Sequence, residues 1–107
     1  MTVLADILDT ELVDAVDVAR VAHTTPRSVG RWRREDVNPR RESEERLLEL
    51  KAVLDLAQRY LREDAARRWL RTPVPDLDYE KPLDLIAEGE WRRVVDTLLA
   101  FAEGVTA

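Results

Sequence analysis

Arg27, Arg31 and Arg34 stand at i, i+4 and i+7 in the stretch "TTPRSVGRWRRE", residues 24–35. On a helix that spacing aligns three guanidinium groups on one face. A guanidinium stays charged in proteins and offers a rigid fork of donors, so its chemistry is recognition of planar acceptors. In a DNA major groove it can bind guanine O6 and N7 with two parallel hydrogen bonds. Arg33, Arg40 and Arg41 flank the stripe and suit phosphate oxygens, while Thr25 and Ser28 place hydroxyls at the start of the same helix. These eight residues form a candidate DNA-binding set. Reaction chemistry has no comparable support. His23 is the only histidine, cysteine is absent, and no glycine-rich phosphate loop or carboxylate constellation occurs. The reading therefore assigns no catalytic, cofactor-binding or metal-binding residue and expects no enzyme.

The placement of charge is uneven. The 107-residue chain has a formal net charge of −5, yet all seven arginines of residues 1–41 lie between Arg20 and Arg41. Residues 42–107 carry fifteen acids against ten bases. With fifteen arginines and two lysines overall, position says more than number. A basic segment ahead of an acidic remainder points to nucleic acid for the first part and protein for the second.

Helices must hold these groups. Glycine occurs only at 30, 89 and 104, runs of β-branched residues are missing, and nearly every segment repeats at helical period. Leu4, Ile7 and Leu8 predict a short first helix, and "VDVARVAH" predicts a second with Val18, Val21 and Ala22 inward. Thr25 is expected as the N-cap of a third, with Pro26 at its first position and Val29 and Trp32 inward. Two short helices and a tight turn make a helix-turn-helix, with Ala19 small at the crossing. His23 stands where the turn often has glycine, and histidine tolerates the left-handed conformation better than most residues. Ser43 is expected to cap a long helix reaching Leu61, with Leu47, Leu50, Leu54, Ala57 and Leu61 in its stripe and Leu48, Leu56 and Tyr60 beside them. Asp64 is expected to cap a helix carrying Ala65, Trp69 and Leu70. After a proline-rich irregular stretch, "PLDLIAEG" restarts helix and Gly89 closes it. A last helix places Trp91, Val94, Val95, Leu98, Phe101 and Ala102 on one face, with Gly104 as a left-handed cap.

These elements give an all-α expectation in three parts. Residues 1–41 form an Xre-like helix-turn-helix lobe, 42–62 a connecting and dimerising helix, and 63–107 a small helical protein-binding domain. The stripes on 47–61 and 91–102 look wider than a small monomer can cover, so a homodimer is expected. No apolar run reaches the length of a membrane helix, the first residues are acidic, and cysteine is absent. A cytoplasmic protein without a membrane partner is expected.

The stretch "WLRTPVPDLDYEKPLDLIAEGEWRRVVDTLLAFAEGV" resembles the C-terminal domain of the Xre/MbcA/ParS antitoxins, the partners of RES-domain toxins. The features that carry the likeness are Trp69, Pro73, Leu77, Pro82-Leu83-Asp84-Leu85, Gly89, Arg93-Val94 and Glu103-Gly104-Val105. Val74 stands where that family often has asparagine, and Asp78-Tyr79-Glu80-Lys81 where it often has a glycine-containing turn. The resemblance implies a dimeric antitoxin that binds operator DNA, represses its own operon and covers a toxin that consumes NAD. It further implies that Glu103, Gly104, Val105, Thr106 and Ala107 meet the toxin's active-site entrance. Glu103 and the terminal carboxylate would there mimic phosphates, Val105 would pack on the pocket wall, and Glu88 and Glu90 would support the rim. Two other readings stay open: a stand-alone dimeric transcriptional regulator, and a protein adaptor whose helix-turn-helix no longer touches DNA.

Overall fold

Local signals set the helix ends, and the computed structural model, which describes residues 2–104, shows which signals operate. Helix α1, Thr2–Asp9, buries Leu4 and Ile7. Asp14 caps α2, Ala15–Ala22, through a reciprocal box: its carboxylate accepts from the Asp17 N–H and the Asp17 carboxylate accepts from its own. Each such cap satisfies a backbone donor the first helical turn leaves free. At the other end His23 adopts φ 58° and ψ 48°. Thr24 N–H donates to Ala19 O at 2.9 Å and His23 N–H to Arg20 O at 3.3 Å, the bond pair of a left-handed helix stop. Thr25 then caps α3, Pro26–Glu35, its hydroxyl accepting from Ser28 N–H at 3.1 Å.

Two expected caps are corrected. The long helix α4 spans Arg41–Tyr60, so Ser43 lies inside its first turn. The Ser43 hydroxyl instead donates to Ala22 O at 3.0 Å, helping to seal the end of α2. Glu42 and Glu44 in that first turn offset the helix dipole without a side-chain cap. Likewise α5 spans Glu63–Leu70 with Asp64 already helical, where it faces Arg68 at 3.5 Å.

The proline-rich stretch folds as a 3-10 turn, Pro75–Leu77, held by an isolated bridge between Val74 and Glu80. Asp78 and Tyr79 both take positive φ, 56° and 64°. The chain thus makes this left-handed turn without glycine. Helix α6, Pro82–Ala87, stops at Gly89 with φ 87°, and α7 spans Trp91–Ala102.

Among the described residues the elements are helices and the one isolated bridge, so the all-α expectation holds. Helix α4 is the spine, packed by α1, α2 and α7, while α6 sits between α2 and α7. Leu47, Leu50, Val53, Leu54 and Ala57 are all fully buried inside this one chain. The inner rows of the α4 stripe are thus covered within one chain, while Leu48 and Tyr60 at its edge remain 47% and 38% exposed. Phe101 and Ala102 also depart from expectation. Both are exposed at the end of α7, which buries only Val94 and Leu98. No described helix is long and apolar enough to cross a membrane.

Candidate nucleic-acid interface and acidic surface

Helix α3 is fixed from beneath by Val29 and Trp32, 1% and 6% exposed. With those two inward, the 100° step per residue turns Arg27, Arg31 and Arg34 to solvent on the opposite face. Arg27, Ser28, Arg31, Arg34 and Glu35 line one shallow hollow on that face. A second hollow beside it brings Arg40 together with Ser28, Arg31, Thr24 and Asn38. Arg33 and Arg41 line neither. Arg41 pairs instead with Glu45 at 3.3 Å along α4. The Thr25 hydroxyl is committed to the cap and also donates to Ser28 Oγ at 3.2 Å, so it acts by positioning α3.

The cations are available. Arg27, Arg33, Arg34 and Arg40 make no ion pair among the described residues. Arg31 Nε lies 4.0 Å from Glu35, with both side chains more than half exposed. That geometry is too long for a hydrogen bond and holds the side chain only weakly. The Arg34 guanidinium lies over Gly30, within 3.1 Å of where a Cβ would stand.

The acidic candidates fall into two places. Glu88 and Glu90 flank Gly89 at the start of α7, and Glu103 and Gly104 close its far end, with φ 68° at Gly104 and its N–H donating to Phe101 O at 3.1 Å. A 12-residue helix separates the two groups, about 18 Å at its regular rise. They do not form one cluster. Val105, Thr106 and Ala107 lie outside the described residues.

The spacing of residues gave no sign of how the two ends of the chain meet. Arg20 Nη2 donates to Asp84 Oδ1 at 2.7 Å, and His23 Nε2–H donates to Ala87 O at 2.9 Å. The Arg46 guanidinium packs on Gly89, where a Cβ would sit 3.1 Å from Nη1. Arg71 pairs with Asp17 and also donates to Leu12 O at 3.0 Å, and Arg67 donates to Glu11 O at 3.0 Å. Helices α5 and α6 thereby grip the loop before α2 and the turn after it.

Comparison with known proteins agrees with this architecture. Residues 56–104 match the family described as the antitoxin Xre/MbcA/ParS C-terminal toxin-binding domain. The chain is 39% identical over 89 residues to the mycobacterial cidal antitoxin MbcA of Mycobacterium tuberculosis, covering 83% of this chain and 79% of that one. The Mycobacterium bovis MbcA aligns equally well, at 39% over 89 residues. Among solved structures, one chain of the crystal structure of the M. tuberculosis MbcT–MbcA toxin–antitoxin complex superposes with a TM-score of 0.87 and 33% identity. That superposition covers 99% of this chain and 96% of the other. The chain thus belongs to the Xre/MbcA/ParS family of antitoxins.

Proposed function

We propose that this antitoxin neutralises a RES-domain, NAD-degrading toxin by covering its active site, and represses its own operon through the helix-turn-helix formed by α2 and α3. The observation that carries the reading is the match to a toxin-binding domain over residues 56–104. The role is non-catalytic: the acidic second half meets the toxin, and α3 meets operator DNA. A site that holds dinucleotide phosphates is normally lined with arginine or lysine. Glu103, Gly104 and the residues that follow act there as anionic substitutes, while Glu88 and Glu90 contact the toxin from the other end of α7. The chain acts in the cytoplasm as a homodimer, because a two-fold pair of α3 helices reads two half-sites at once.

Truncation after Ala102, tested in cells co-expressing the toxin from the adjoining reading frame, examines the tail. The shortened protein should bind operator DNA normally yet fail to restore growth and NAD levels. Full rescue by the truncated chain would remove the tail from the mechanism and leave the folded helices to block the toxin alone.

A further inference from the structure

The end of α7 carries a feature that the proposed tail mechanism does not use. Between α5, the 3-10 turn and α7 lies an apolar groove of about 200 Å³, lined by Leu61, Trp69, Val74, Leu98, Ala100 and Phe101. We propose that this groove receives one large apolar side chain of the toxin, with a basic toxin residue beside it pairing with Asp76. The inference rests on the antitoxin reading and names the part of the toxin that this surface recognises.

Size narrows the occupant. Sites for drug-sized molecules run about 300–1,000 Å³, so this space suits a single side chain better than a free ligand. Its wall is also incomplete. Phe101 is 58% exposed at the edge, on a helix whose Val94 and Leu98 are fully covered. An aromatic ring left open beside an apolar hollow is the arrangement of a binding anchor.

The polar groups set the chemistry of the neighbour. Thr97 also lines the groove, but its hydroxyl already donates to Arg93 O at 3.0 Å. Asp76 lines it too, is exposed, and makes no ion pair among the described residues. An unpaired carboxylate beside apolar walls selects an apolar side chain flanked by arginine or lysine. Location selects the toxin over other partners, since every lining residue falls within the 56–104 span that matches a toxin-binding domain. The groove also opens one turn from Glu103, so a toxin held by the tail would lie across it.

The test titrates the full chain, wild type and variants, with purified toxin from the adjoining reading frame by calorimetry. Ala100 is exposed, so Ala100→Trp fills the groove without entering the core. It should weaken toxin binding about 30-fold, the scale of a lost anchor contact. Asp76→Lys, at an exposed position, should weaken it about 10-fold and shift the effect of salt on association. Thermal melting and operator binding should match the wild type in both. Affinities within about twofold of wild type for both variants would overturn the proposal. So would variants that lose self-association while keeping toxin affinity, since the groove would then belong to a second copy. A wild-type chain that forms no complex at all would sink the antitoxin reading itself, an outcome distinct from failure of the groove.

Discussion

At the scale of single residues, the arginine face of α3 is a question of which groups already have partners. Arg27 has none among the described residues and Arg31 has only a long, exposed contact to Glu35. Neither must break a strong bond to reach a base. Arg27→Ala and Arg31→Ala should each cost roughly 1–3 kcal/mol of discrimination between operator and random duplex. Arg33→Ala or Arg40→Ala should weaken both duplexes alike and lower the salt slope by about one. Titrations of both duplexes at several salt concentrations separate the two patterns. Gly30 makes a different prediction. It is an interior helix position without positive φ, and the only close neighbour of a new Cβ is the flexible end of Arg34. Gly30→Ala should raise stability by about 0.5–1 kcal/mol, seen in chemical denaturation, because alanine holds helix better and Arg34 can swing aside. A loss of stability would mean that Arg34 is fixed where it lies.

Elements show how far sequence reasoning reaches. Thr25-Pro26 announced the start of α3 and Gly89 the end of α6, because caps and stops are written within a few residues. Gly89→Ala should be destabilising by more than about 1 kcal/mol by the same denaturation measurement, since a side chain at φ 87° is strained and meets the Arg46 guanidinium. Ser43 and Asp64 had equally good capping chemistry and are not caps. The backbone had already turned helical before each of them, and Ser43 spends its hydroxyl on a carbonyl 21 residues away. The stripe on α4 was legible as apolar, but which of its rows would be internal was not, since period alone cannot say how many helices will cover a face. Leu48 and Tyr60 stay open at its edge. Phe101 shared the helical phase of Val94 and Leu98 and is nonetheless 58% exposed, since phase alone does not say which neighbours reach a given turn. Of the candidate site, the arginine face was readable from spacing. The groove at Asp76 was not, being assembled from three separate segments.

For the whole molecule, the grip of α6 on α2 matters more than any single pair in it. The Arg20–Asp84 contact is short, but its side chains are 49% and 35% exposed, so it contributes only about 0.2–1 kcal/mol by itself. A double-mutant cycle with Arg20→Ala and Asp84→Ala should return a coupling in that range. Operator affinity supplies the more informative readout. If α6 sets the angle of α3 to the DNA, the Asp84→Ala chain should bind its operator less tightly although residue 84 never touches it. Unchanged binding would show that the packing of α3 on α2 orients it without help from α6. Self-association belongs to this scale as well. Sedimentation at tens of micromolar should show a dimer, expected from paired operator reading and from the open edge of the α4 stripe at Leu48 and Tyr60.

The turn at His23 is closed by atoms from two distant parts of the chain, Ser43 through Ala22 and Ala87 through the imidazole ring. A helix pair closed in this way is not a cassette. Grafting residues 1–41 of a relative onto this C-terminal half would bring a foreign turn to an unmatched carbonyl, and recombination between relatives should break most often at this seam. Variation should be tolerated outward of it, on the exposed face of α3, where operator preference can change while the turn stays as it is.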